Sequence, residues 1–106
     1  MSRRRVAGTV PQGTDEEVAY KFDFRNFVED YGAPTSEGAC TLYDITDGTE
    51  DVSATKLTGA ASLSGNVVTS KIVTGLLDGH RYRLTQAAGF TGGLTFSGYI
   101  VIDGEL

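Results

Sequence analysis

Apolar and polar positions alternate cleanly from Val18 to Phe24: Val18, Tyr20, Phe22 and Phe24 fall on one face, Ala19, Lys21 and Asp23 on the other. A period of two predicts a half-buried strand. Residues 25–37 lose that period. Asn26-Phe27-Val28 suits a single helical turn at one end of a sandwich, and 29–37, with Gly32 and Pro34, reads as a loop. Ala39 to Ile45 alternates again, Cys40 and Leu42 against Thr41, Tyr43 and Ile45. Apolar groups on both faces predict an interior strand whose outer face is partly covered. An acidic turn around Asp47-Gly48 leads to a weaker strand over 52–57, a short one over 61–63, and a turn at Ser64-Gly65-Asn66. Val67 to Thr74 is rich in β-branched residues and predicts a strand. The next runs from His80 to about Ala88, with Tyr82 and Leu84 on one face and Arg81, Arg83 and Thr85 on the other. Gly92-Gly93 signals a hairpin turn, and the last strand spans Leu94 to Ile102, with Gly98 in a phase change that predicts a β-bulge. Strands at about ten-residue spacing with turn signals between them predict an all-β sandwich of about seven strands.

Tyr82 stands just inside a strand, after a tight turn at Asp78-Gly79. A tyrosine so placed can send its hydroxyl back to the backbone a few residues upstream, satisfying polar groups buried where the chain turns from one sheet to the other.

Residues 1–17 show little periodicity and read as a flexible N-terminal arm, leaving 18–106 as the domain. The chain has 106 residues, enough for one domain with a modest core and no need of metal or disulfides. Charge sharpens the division. Arg3, Arg4 and Arg5 are three of nine basic side chains, so from Val6 onward six basic groups oppose fourteen acidic ones. An acidic domain lacks the basic face that nucleic acid or an anionic membrane surface requires, and neither is expected as a partner. Cys40 is the single cysteine, which excludes an intramolecular disulfide and a thiolate metal cluster. The arginines are not followed by an apolar run, so the start is not expected to be a secretory signal, and no apolar segment is long enough to span a bilayer as a helix. Synthesis in the cytoplasm is expected.

Chemical motifs are sparse. His80 is the only histidine and, with no second ligand nearby in sequence, reads as an exposed turn residue. Asp44, Asp47, Glu50 and Asp51 surround Gly48, but without the spacing of a calcium loop, and read as a solvated turn. There is no nucleophile elbow, phosphate loop or dinucleotide fingerprint. The expectation is a protein without enzymatic activity, cofactor, metal or small-molecule substrate. The residues assigned to partner docking are Arg3, Arg4 and Arg5, as charged anchors, and Phe27 and Tyr31, as aromatic groups in a loop. Phe27 and Tyr31 also suit a plug for the sandwich end.

The segment Gly75-Leu76-Leu77-Asp78-Gly79-His80-Arg81-Tyr82-Arg83-Leu84 resembles the corner of fibronectin type III domains, with Asp78 where those usually carry proline. The layout of 18–103 is similar to that of short immunoglobulin-like virion proteins of tailed bacteriophages, of the fibre–tail adaptor type. Tyr20-Lys21-Phe22-Asp23-Phe24, the corner, and Phe96-Ser97-Gly98-Tyr99-Ile100-Val101-Ile102 carry the likeness. The resemblance implies a single immunoglobulin-like or fibronectin-III-like antiparallel β-sandwich. It also implies a structural role in the virion, in multiple copies within a symmetric assembly, joining tail, neck or baseplate proteins to each other or to fibres. The alternative is a stand-alone immunoglobulin-like recognition module for a protein or glycan.

Overall fold

The computed structural model of the chain describes residues 6–106, with side chains from Gly8 onward. Among the described residues nine strands form two sheets. The first has five strands in the order β1 (Val6–Gly13), β9 (Leu94–Glu105), β8 (Arg81–Phe90), β3 (Pro34–Asp44) and β4 (Glu50–Asp51). The second runs β2 (Val18–Asp23), β7 (Val67–Val73), β5 (Leu57–Thr58), with β6 (Ser62–Ser64) also paired to β7. The chain is an all-β sandwich. Its core lies between the sheets, where Phe22, Phe24, Leu42, Val68, Val73, Tyr82, Leu84, Ile100 and Ile102 are buried.

The period of β2 survives intact: Tyr20 and Phe22 face the core and Ala19, Lys21 and Asp23 face outward. Opposite it, β7 changes phase. Ala19 pairs with Ile72 but Lys21 with Thr69, so an extra residue of β7 faces Tyr20. Ser70, buried at this bulge, repairs the ladder: its Oγ accepts the Tyr20 N–H at 3.0 Å and donates to the Lys71 carbonyl at 2.7 Å.

The corner after β7 carries the chain from the second sheet to the first. Tyr82 is fully buried, and its hydroxyl accepts the N–H of Leu77, five residues upstream, at 2.9 Å. Burial raises its pKa above the ordinary tyrosine value, against the Leu77 hydrogen bond, and Asp44 adds to the rise. The phenol therefore stays neutral at physiological pH. Tyr82→Phe leaves the Leu77 N–H without its acceptor in a partly buried setting. It is expected to cost about 1–2 kcal/mol, read as a lower urea midpoint with an unchanged m-value.

Five expectations need correction. Residues 6–13, assigned to a flexible arm, form β1, which pairs in parallel with β9 and makes the first sheet mixed rather than antiparallel. The irregularity expected at Gly98 is absent from the β8–β9 hairpin, whose register runs unbroken from Arg81–Asp103 to Phe90–Leu94. It falls instead on β1, between Val6 and Thr9, around Gly8 with φ +97°. β3 begins at Pro34 rather than Ala39, because two register shifts, within 34–36 and 37–40, hide its period. The strand expected over 52–57 is a helical turn, α2 (Ser53–Lys56), between β4 and β5. There Ser53 Oγ accepts the Leu42 N–H at 2.8 Å, and the Asp51 carboxylate accepts the Ser53 N–H at 2.9 Å. Phe27, assigned to docking, is buried. It belongs to a 3₁₀ turn (Arg25–Phe27) that continues into α1 (Val28–Tyr31), so the helical turn expected at 26–28 runs on into the segment read as a loop. Its ring stacks on Phe96 at 4.5 Å and lies edge-on to Phe90 at 6.1 Å.

Candidate functional site

Two regions of the surface carry chemistry. The first is at the sandwich end where β8 begins. Asp44 closes β3, and its Oδ1 accepts both the hydroxyl (2.6 Å) and the N–H (3.0 Å) of Thr46, fixing the turn. Its other oxygen meets His80 Nδ1 at 2.7 Å. The Thr46 hydroxyl in turn accepts the N–H of Arg81 at 2.9 Å. One step further, Arg81 forms a two-point ion pair with Asp103, at 2.7 and 3.2 Å. His80 is therefore not a bare turn residue. Its partner lies 36 positions earlier in the chain, beyond the reach of any local motif.

An aspartate-oriented imidazole is half of a nucleophile-activating arrangement. Here the neighbouring hydroxyl donates to the aspartate rather than to the imidazole, so nothing activates it as a nucleophile. The surrounding space is open: about 490 Å³ lined by residues 78–81 and 103–105, and about 150 Å³ lined by Asp44, Thr46, Asp47, Glu50 and His80. Among the described residues no group of three or more His, Cys, Asp or Glu is placed to hold a metal ion. Nor is any helix among them long and apolar enough to cross a membrane. Cys40 is buried and free, and burial pushes its thiol pKa up against an opposing influence of Lys71.

The network makes the end of the sandwich acid-sensitive. Burial opposes charge on Asp44, but the hydrogen bonds of Thr46 and His80 outweigh it and hold the carboxyl below the usual carboxylate range. A carboxyl depressed in the folded state stabilises the fold above its unfolded pKa of about 3.9, and that stabilisation is lost as pH falls through the folded value. Urea titrations from pH 6 downward to pH 2 are expected to show a shallower acid loss for Asp44→Asn than for the wild type; equal slopes would remove Asp44 from the acid response.

The second region is the outer face of the five-stranded sheet. Leu42, Leu84, Ile100 and Ile102 turn inward, so Thr41, Tyr43, Arg83, Thr85, Tyr99 and Val101, alternating with them, turn outward. All six are half-buried. Thr41 pairs with Thr85 and Thr85 with Tyr99; Tyr43 pairs with Arg83 and Arg83 with Val101. The Arg83 guanidinium lies over both tyrosines, 5.6 Å from the Tyr43 ring centre and 5.9 Å from that of Tyr99. Cation–π contacts of this kind hold a long side chain flat against the sheet. The result is a broad, ordered, weakly polar surface of tyrosine, threonine, valine and one arginine.

The residues assigned to docking are distributed differently. Arg3, Arg4 and Arg5 lie outside the described residues. Phe27 and Tyr31 come together, ring centres 6.4 Å apart, but only Tyr31 reaches the surface, at 37 % exposure, where it lies 4.8 Å from Phe96. Tyr43, Arg83 and Tyr99 were not singled out from the sequence. The outward phase of Tyr43 and Arg83 was visible there; their meeting with Tyr99 depends on pairing among three strands.

Compared with known proteins, the chain matches no protein-family model and no curated protein sequence.

Proposed function

We propose that this chain is a non-enzymatic assembly module, an immunoglobulin-like domain serving as an adaptor in a tailed-phage virion. The single observation that carries the assembly reading is the outer face of the five-stranded sheet. Tyrosine and arginine are enriched where interfaces concentrate binding energy, and here Tyr43, Arg83 and Tyr99 are already ordered by mutual contact. Pre-ordering lowers the entropy cost of binding. The immunoglobulin-like reading draws on the passage of the chain between sheets and on the tyrosine-bearing corner between β7 and β8. The virion role draws on the resemblance of 18–103 to phage adaptor proteins. The partners are other virion structural proteins, and the His80–Asp44 network serves to fix the β3–β4 turn.

Mass spectrometry with copy-number estimation on purified particles from the producing strain tests this. A fixed copy number that is a multiple of a ring symmetry is expected, together with loss of incorporation for a folded Tyr99→Glu variant. Absence from particles, with the protein free in the lysate and retained on a glycan array through the same tyrosines, would instead establish a recognition module.

A further inference from the structure

The same face carries charge in a pattern that complements itself. One row across the sheet reads Asp51, Tyr43, Arg83, Val101 and Thr9, each directly opposite the next on adjacent strands. Directly opposed residues project to the same side of a sheet. The row therefore presents a carboxylate, an aromatic ring, a guanidinium and an apolar group in that order. Asp51 is exposed; one of its oxygens accepts the Ser53 N–H, and hydrogen bonds from Ser53 hold its pKa below the ordinary aspartate value, so it is charged at neutral pH. Other acidic residues in register with this face include Asp103, which is neutralised by Arg81, and the exposed Glu105 at the far end of β9.

An interface between identical subunits related by a two-fold axis must match itself: if one residue meets a second across the axis, the second meets the first. This row satisfies that condition with Tyr43 at its centre. Arg83 and Asp51 flank Tyr43 on the neighbouring strands β8 and β4, each ~4.8 Å away. A two-fold axis parallel to the strands, running midway between two facing sheets above Tyr43, places Arg83 of one copy over Asp51 of the other, twice. Sheets packed face to face stand ~10 Å apart, a gap that an arginine and an aspartate bridge together. With the axis over β3, the strands that overlap are β8, β3 and β4. Three strands ~4.8 Å apart by about seven residues of ~3.4 Å give a strip of roughly 14 by 24 Å, at the low end of interface sizes, where weak and reversible associations fall.

We propose that a second copy of this chain docks on the outer face of the five-stranded sheet as a two-fold dimer, with Arg83 of each copy against Asp51 of the other. The proposal rests on the reading of this face as an assembly surface and names its occupant. In a virion, such a dimer would be the unit that is incorporated.

The test is sedimentation equilibrium on the full chain, with charge reversals. The wild type is expected to dimerise reversibly. Arg83→Glu and Asp51→Arg are each expected to weaken the dimer at least ~10-fold, since each sets like charges against each other at two places. The double variant, Arg83→Glu with Asp51→Arg in one chain, regenerates both pairs with their signs exchanged and is expected to restore the dimer to within about threefold. Far-ultraviolet circular dichroism establishes that each variant folds. Should a reversal unfold the chain, the neutral changes Arg83→Gln and Asp51→Asn carry the same comparison with smaller losses. A wild type that stays monomeric up to millimolar concentration, a dimer indifferent to the single changes, or no recovery in the double variant each overturns the proposal. If the chain is monomeric and Tyr99→Glu still abolishes incorporation into particles, the second copy is wrong while the assembly reading stands.

Discussion

Replacing Gly104 with alanine is expected to cost about 3 kcal/mol, the upper part of the range for forcing an extra carbon into a closely packed site. Gly104 sits near the end of β9, where the corner from β7 to β8 crosses it. A Cβ there would collide with the Leu77 carbonyl, a backbone group, and press on the Leu76 Cβ at 3.4 Å. Backbone cannot rotate aside as a side chain can, and this stretch is held in several ways. Gly79 N–H donates to the Gly104 carbonyl at 3.0 Å, Gly104 N–H donates to the His80 carbonyl at 2.9 Å, and Tyr82 holds the Leu77 N–H. Moving Leu77 away breaks at least one of these bonds. At about 4–8 °C per kcal/mol for a domain near this size, the melting temperature falls by roughly 12–24 °C. Thr95→Ala, at an exposed site on the same strand, is the control, and its expected shift is within ~2 °C. A Gly104→Ala melt that matches the control would mean that the corner does not press on β9 as described.

That glycine illustrates where sequence reading reaches and where it stops. Tyr82 announced the corner because its cause is local: a turn, a strand entry and a hydroxyl that returns five residues. The alternation of 18–24 and the β-branched run of 67–73 were legible for the same reason, since a strand's faces are written in its own period. The need for glycine at 104 was not legible, because the group that excludes a side chain is a carbonyl 27 positions earlier. β3 lost its first five residues to bulges that break the period without breaking the strand. In the surface site, the outward phase of Arg83 could be read, but its position between Tyr43 and Tyr99 is a product of register. The aromatic loop misled for a related reason. Phe27 and Tyr31 lie four residues apart in short helical turns, and only packing against Phe90 and Phe96 decides which of them is buried.

The misreading of residues 6–13 has a chemical cause that can be tested, because the residue that fixes this segment is polar. Gln12 is 1 % exposed. Its Nε2 donates to the carbonyls of Val73 (2.8 Å) and Glu16 (3.1 Å), and its Oε1 accepts the Tyr20 hydroxyl at 2.7 Å. Burial, and after it the negative charge of Glu16, push the Tyr20 pKa above its ordinary value, so the phenol keeps the proton it donates. One amide thereby ties the edge strand of the first sheet to β2 and β7 of the second. A pattern read for apolar spacing takes such a glutamine for a surface residue, and the segment for an arm. Gln12→Ala removes all three bonds and leaves the Val73 carbonyl and the Tyr20 hydroxyl to find other partners, at an expected cost of about 2–3 kcal/mol. The loss should also be local. β1 contributes only the edge of its sheet, so Gln12→Ala is expected to speed amide exchange along the β9 segment that pairs with it, Val101 to Glu105, and to open 6–13 to protease. Exchange in β7 should speed up the least, since its ladders to β2, β5 and β6 persist. Tyr20→Phe, which removes one bond of the three, should show the same pattern at about 1 kcal/mol. A Gln12→Ala protein with wild-type stability and an unchanged β9 exchange pattern would show that strand pairing alone holds β1, and that the buried amide is incidental to it.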